Sequence, residues 1–324
     1  MSDTWTICHS RHVGIAHWDE IEGHRNAKGE MDATWQFLGR AAGSQGVGVN
    51  RVRVEPGKLP TPPHSHGASE EIYFVLGGSG LAWQDEAVHE IGPGDCIVHT
   101  ANTMEHTLVA GADGLDYLVF GTNHPTELGW LPRSRAIRLG WPWVEGRTDD
   151  PWDVEAQAEP LAVDKPAERP PNIVNVHDSA DGSDARSRRW LGAAAGSVQT
   201  GLNWAQVEPE KRNSPPHCHS HDEEAFVVLE GDGVLELWPS PLEASHGTEH
   251  EEVQVRAGHL IARPPATRVA HSFRAGADGL TLLLYGTRRP GDVCYYPRSN
   301  KLFWRSLGLI GRVESLDYWD GEEL

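Results

Sequence analysis

Cysteine is scarce in this chain: four in 324 residues, at Cys8, Cys96, Cys218 and Cys294, with no C-x-x-C spacing. Free thiols in a reduced, cytoplasmic protein are the expectation from that pattern. Cationic side chains are also few, 28 Lys and Arg against 47 Asp and Glu, for a formal net charge of −19. Such a surface repels phosphate backbones and anionic lipid, so neither nucleic acid nor a membrane is expected as a partner. The same charge also serves plain solubility. Long apolar runs are missing. Stretches such as Leu280 to Tyr285 are strand-sized, against the roughly 20 residues of a membrane span. Met1-Ser2-Asp3-Thr4-Trp5 lacks a basic-then-apolar pattern, so no secretory signal is expected.

A helical period is missing as well. Residues Met1 to Asp32 are polar and mixed, with His9, His12, His17 and His24 unpaired in spacing and read as surface or packing residues. From Leu38 onward the chain shows short β-branched stretches, Val47 to Val54, Ile72 to Leu76, Cys96 to Val98, His106 to Val109 and Leu115 to Phe120. Turn signals separate them, among them Glu55-Pro56-Gly57, Gly77-Gly78-Ser79-Gly80 and Gly92-Pro93-Gly94-Asp95. Short strands at regular spacing predict an all-β sandwich or barrel.

Residues 145–172 are charged and proline-rich and read as a linker, with Trp141, Trp143 and Trp152 expected to find cover. Beyond it the first half repeats. Leu38-Gly39 and Ala41 to Ser44 recur as Leu191-Gly192 and Ala194 to Ser197 at an offset of 153, and Val54-Glu55-Pro56 recurs as Val207-Glu208-Pro209. Later, His106 and Ala110 to Leu115 recur as His271 and Ala275 to Leu280 at an offset of 165, and Pro132-Arg133-Ser134 recurs as Pro297-Arg298-Ser299. A polar insert around Pro239 to Glu252 accounts for the change of offset and reads as a surface loop. The chain is a tandem duplication of one β domain, divided as 1–144, a linker at 145–172, and 173–324.

The repeat centres on Pro62-Pro63-His64-Ser65-His66 followed by Glu70-Glu71 and an apolar run, mirrored by Pro215-Pro216-His217-Cys218-His219 followed by Glu223-Glu224. Strand side chains alternate, so His64 and His66 share a face, as do His217 and His219, while Cys218 turns away. Two imidazoles beside a carboxylate from the next strand form a metal-ligand arrangement that needs one more ligand. Neutral imidazole and carboxylate suit Fe(II), Mn(II), Ni(II), Zn(II) or Cu(II) and leave positions open for substrate or dioxygen.

With both halves in view the sequence resembles the cupin superfamily, as a two-domain bicupin. The family's first motif, G-x5-H-x-H-x3,4-E-x6-G, is followed by Gly57, His64, His66, Glu71 and Gly78 with one extra residue before the first histidine. The second half follows it with His217, His219, Glu224 and Gly231, but has Glu210 at the leading glycine. The second motif, G-x5-P-x-G-x2-H-x3-N, is degraded: Thr100 and Asn102 replace its proline and second glycine, and neither half keeps the closing asparagine. The resemblance implies tandem double-stranded β-helices, each holding a divalent metal, with Fe(II) or Mn(II) favoured. The implied ligands are His64, His66, Glu71 and His106, and His217, His219, Glu224 and His271. Glu71 and Glu224 are also the candidate catalytic proton acceptors, while Glu70 and Glu223 would point outward. His221 is expected in a supporting position, and His99 in the core or a loop.

The resemblance leaves the reaction open. A metal-dependent dioxygenase acting on a small organic metabolite is the first expectation, with Tyr73, Trp83, Phe226 and Trp238 offering flat apolar walls or else barrel packing. The alternatives are a non-redox isomerase, lyase or decarboxylase, or a non-catalytic small-molecule- or metal-binding protein. The arginine that oxalate decarboxylases place three residues before the first ligand histidine is replaced by Thr61 and Ser214. Pairing of barrels through edge strands makes a homo-oligomer a further expectation, with the aromatic tail around Tyr318 and Trp319 covering an edge or meeting a second subunit.

Overall fold

A computed structural model of the protein describes residues 14–139, 150–163, 165–178, 187–316 and 319–322; Cys8, His9, His12, Trp141, Trp143 and Tyr318 lie outside them. Strands hold 52% of the described residues and helices 9%, and the strands form two barrels, each of one large and one small sheet. No helix among the described residues is long and apolar enough to cross a membrane.

In the first barrel the large sheet has eight strands. Its centre is the pair Glu71–Gln84 and His106–Thr122, flanked by Asp95–His99 on one side and Val47–Val54 on the other. Ser65–His66, Leu128–Leu131 and Ala136–Leu139 make the small sheet. The second barrel repeats this plan around Glu224–Pro239 and Val269–Thr287, with Cys218–His219 in its small sheet.

Gly78 and Gly231, which close the repeated motif, sit at matching register shifts with φ of 78° and 76°. A Cβ there would stand 2.2 Å from the carbonyl oxygens of Gly114 and Gly279. Left-handed backbone and close strand approach both require glycine at these points.

The run Ile72-Tyr73-Phe74-Val75 is apolar without alternation because both of its faces are buried. Tyr73 and Val75 join the interior of the first barrel, with Ile97, Leu108 and Tyr117. Ile72 and Phe74 join a second core that lies between the barrels and includes Leu118, Phe120, Ala225, Val227 and Tyr285. Phe120 and Tyr285, related by the 165-residue offset, meet with ring centroids 5.1 Å apart.

The barrels also exchange strands. Gly14–His17 adds to His259–Arg263 in the second barrel, and Ile173–Asn175 adds to Asp95–His99 in the first. The N-terminal stretch, expected to lack regular structure, therefore carries strands at Gly14–His17, His24–Lys28 and Met31–Gln36. Its strands are short, and His24–Lys28 lies at a sheet edge with His24, Arg25 and Ala27 exposed. So little apolar burial leaves only a faint pattern in the residues.

Glu70 and Glu223 point outward from their own barrels, as expected, but not into water. Both are buried, at 0% and 1% exposure. Glu70 accepts hydrogen bonds from Ser197 Oγ (2.7 Å), Val198 N (2.8 Å) and Thr200 Oγ1 (2.5 Å) in the opposite half. Reciprocally, Glu223 accepts from Ser44 Oγ (2.6 Å), Gln45 N (2.8 Å) and Gly46 N (2.5 Å). Part of the expected linker is likewise held. Its Pro151–Ala156 helix places Asp153 against Lys28 at 2.6 Å, and Arg169 clasps Asp95 with both terminal nitrogens at 2.7 Å.

Candidate metal centres

Backbone pairing brings the candidate ligands together. His64 and His106 exchange N–H···O bonds of 3.1 and 2.8 Å, and His217 and His271 exchange bonds of 3.2 and 2.9 Å. His66 stands two residues along the same short segment as His64, and Glu71 begins the adjacent long strand.

In the first barrel the Nε2 atoms of His64, His66 and His106 lie 3.8, 3.3 and 3.4 Å from one atom, Glu71 Oε2. The other ring nitrogens face away. His64 Nδ1 is 2.9 Å from Pro62 O, His106 Nδ1 is 3.1 Å from Met104 O, and His66 Nδ1 is 3.5 Å from Glu127 Oε1. A proton donated from Nδ1 leaves the Nε2 lone pair directed inward, which is how metal-binding histidines are oriented. Tyr73 donates its hydroxyl to Glu71 Oε2 at 2.8 Å and fixes the carboxylate.

In the second barrel His217, Glu224 and His271 offer ligand atoms within 4.8 Å of one another. His219 Nε2 and His271 Nε2 stand 3.2 and 3.0 Å from Glu224 Oε2, and His217 Nδ1 is 2.9 Å from Pro215 O. His219 differs in its back side, where Nδ1 meets Asp292 Oδ2 at 2.7 Å and Cys294 Sγ at 3.4 Å. These three residues form a buried group of their own. A single imidazole thus faces Glu224 with one nitrogen and a carboxylate and thiol with the other.

These donor sets fit a divalent cation. Both ring nitrogens of His66 and of His271, and Glu224 Oε2, are buried without a hydrogen bond. Buried polar atoms in that condition cost free energy unless a cation or proton satisfies them. The protonation pattern agrees. Burial opposes charge at Glu71, yet His66, His106 and His64 hold its pKa well below the usual carboxylate range. Burial likewise opposes charge at His66, but Glu71 and Glu127 outweigh it and lift the pKa to about 10. Burial pushes His106 down to about 4 and His271 to about 3, so these rings are neutral. Glu224 and Asp292 likewise raise the pKa of His219 against burial, so the carboxylates at each centre favour a positive charge beside them.

Three neighbours of the centres, Glu127, Asp292 and Arg263, escaped the sequence reading. Glu127 and Asp292, related by the 165-residue offset, each brace a ligand histidine and the loop after it. Glu127 accepts from Gly67 N (2.9 Å) and Ser69 N (2.6 Å), and Asp292 accepts from His221 N (3.0 Å) and Asp222 N (3.1 Å). His221 itself has an exposed side chain that binds Ser220 Oγ. His99 is a buried ring stacked on His106 at 3.8 Å and 6°. In cross-strand register it faces Glu71, and the same register in the second barrel sets Arg263 opposite Glu224. The repeat offset was the available signal for Glu127 and Asp292; it was unused because a lone acidic residue in a loop carries no motif.

Glu127→Gln and Asp292→Asn should each weaken metal binding at their own centre by about 10- to 100-fold, with the fold retained. Titrating metal into the stripped variants by calorimetry checks this, and unchanged affinity would reduce both carboxylates to loop braces.

Comparison with known proteins follows the same lines. Residues 50–119 match the Cupin domain family. No curated protein matches the chain. Oxalate decarboxylase from Bacillus subtilis at pH 4.6 superposes with a TM-score of 0.57 at 13% identity, covering 84% of this chain and 75% of that one. A structure of the same enzyme studied for its Mn(II) centres gives 0.57 at 12% identity, over 86% and 78%. The formate complex of Lactobacillus farciminis oxalate decarboxylase gives 0.57 at 13% identity, over 85% and 86%.

Proposed function

We infer that this chain, a two-domain cupin, is a metal-dependent enzyme that binds a small carboxylic acid and transforms it without net redox chemistry, as a decarboxylase, lyase or isomerase. His64, His66, Glu71 and His106 would hold one ion, and His217, His219, Glu224 and His271 a second, Mn(II) or Fe(II) by donor type. Such an ion supplies Lewis acidity, polarising a bound carboxylate or carbonyl.

The observation that carries the carboxylate reading is Arg263. The sequence lacks the arginine expected ahead of the ligand histidines, but a guanidinium reaches the interior of the second barrel from another strand. Arg263 is 3% exposed and lies in register with Glu224. It donates to Val269 O and, at 3.2 Å, to Thr267 Oγ1, which fix its direction. Burial pulls its pKa down to about 10 while Cys218 and Glu224 pull the other way, so it stays charged at neutral pH. A buried cation beside the ligand set can orient a carboxylate by a charge-assisted pair. Glu224, held as a carboxylate by His219 and His271 against the effect of burial, stands opposite it in register and is the proposed proton acceptor.

The dioxygenase expectation gains no comparable support. Tyr73, Trp83 and Phe226 are at most 6% exposed, and Tyr73 and Phe226 belong to the barrel cores. Their apolar area serves packing. The likeness to oxalate decarboxylases, at 12–13% identity, speaks for the shared fold, and the chemistry rests on the site.

The test is turnover of metal-reconstituted protein under nitrogen on a panel of small mono- and dicarboxylic acids. Carbon dioxide release or isomerised product without oxygen uptake is expected. Arg263→Gln should lower kcat/KM by about 100-fold or more, as for loss of a charge-assisted contact in a buried site. Oxygen-dependent turnover of phenols or diketones, with no anaerobic reaction on any acid, would overturn the reading.

A further inference from the structure

The repeated Pro-Arg-Ser segment has different surroundings in the two barrels. In the first, Arg133 Nε lies 3.3 Å from Glu155 Oε2 and Ser134 N donates to Glu155 Oε1 at 2.7 Å. Glu155 belongs to the helix Pro151–Ala156 and is only 6% exposed. Here the chain fills an arginine–serine site with a carboxylate of its own.

In the second barrel the equivalent residues, Arg298 and Ser299, line an open pocket of about 360 Å³. Arg212, Ser214, Pro215 and Lys301 complete its wall. Glu236 answers the charge of Arg212 at 2.5 and 2.7 Å. Arg298 and Lys301, in contrast, meet no carboxylate among the described residues and lie over aromatic rings. Arg298 stands 4.7 Å above Trp238, and Lys301 stands 5.3 Å from the ring of Tyr296. Asp320, which the 165-residue offset sets in the place of Glu155, makes no ion pair with either. On a chain of net charge −19, with carboxylates in excess, two such cations and two serines converging on one hollow are a local reversal of the field.

We propose that this pocket binds the anionic group, carboxylate or phosphate, of a small metabolite. Arg298 supplies a planar pair of donors, Lys301 a point charge, and Ser299 a hydroxyl. The pocket is separate from the metal ligands, and the proposal stands whether or not the centre is catalytic. It lies close enough to affect that centre. Pro215 lines the pocket and its carbonyl receives His217 Nδ1, while Tyr296, under Lys301, also stacks on the His217 ring at 5.6 Å and 25°.

Calorimetric titration of full-length protein with inorganic phosphate and with malonate, before and after metal stripping, tests this. A saturable site that remains after metal stripping, at one per chain, and weakens as salt rises is expected for at least one probe. The Arg298→Ala/Lys301→Ala variant should bind at least tenfold more weakly while keeping its melting temperature and metal content. Preference for phosphate or malonate identifies the class of anion. Absence of saturable binding, equal affinity in the double variant, or binding that vanishes with the metal would each overturn the proposal. If the double variant melts early, Arg298→Glu alone provides the same readout from an exposed position.

Discussion

Glu71→Gln should empty the first centre of metal and leave the barrel standing. Glu71 Oε2 is the one atom that three histidine Nε2 atoms face, at 3.3 to 3.8 Å. A glutamine has the same shape and can still accept from Tyr73, so packing is retained. It carries no charge, however, and cannot offset a divalent ion in a buried site. Metal affinity at that centre should fall by more than about 100-fold, exceeding what loss of a supporting carboxylate costs. Glu224→Gln should do the same in the second barrel. Metal content of the purified variants, with circular dichroism as the check on folding, reads the effect. Unchanged metal content in Glu71→Gln would move the ligand set elsewhere.

The adjacent glutamate should behave in the opposite way. Glu70→Ala is expected to cost about 3 to 5 kcal/mol of stability, since it leaves several buried donors without acceptors and opens a cavity. Those donors belong to Ser197, Val198 and Thr200 of the other half, so the loss falls on the contact between barrels. Glu223→Ala should lose a similar amount through Ser44, Gln45 and Gly46. Urea denaturation of the four single variants, each stripped of metal and compared with stripped wild type, separates the roles: Glu70→Ala and Glu223→Ala lower the midpoint sharply, and Glu71→Gln and Glu224→Gln hardly at all. A loss under about 1 kcal/mol for Glu70→Ala, within the range of ordinary surface changes, would contradict the structural role.

That contrast shows what could be read from the residues and what could not. The two barrels were legible because duplication repeats the histidine–glutamate segment and several turns, at an offset of 153 and then, past one insert, of 165. The two histidine pairs were legible because H-x-H on a strand puts both imidazoles on one face, whereas His106 and His271 entered through the resemblance to cupins, and the motif's six-residue gap to Gly78 and Gly231 pointed to Glu71 and Glu224. Alternation also turned Glu70 outward, but alternation alone does not say what covers the outer face. The four-residue run Ile72 to Val75, apolar at every position, was the sign that the outer face is covered too. The strand exchange was invisible for a different reason: pairing between Gly14–His17 and His259–Arg263 spans some 245 residues, and no local pattern encodes it. Arg263 was missed because cross-strand register, not sequence spacing, sets it opposite Glu224, as it sets His99 opposite Glu71.

Each barrel is proposed to hold one divalent metal on three histidines and one glutamate. Elemental analysis of protein purified without added metal, repeated after soaking with Mn(II) and Fe(II), tests it most directly. About two ions per chain are expected, one for each four-ligand set, falling by one in Glu71→Gln or in Glu224→Gln and to none when both are changed. A chain that binds no divalent ion after soaking, or keeps both ions in the double variant, would contradict it.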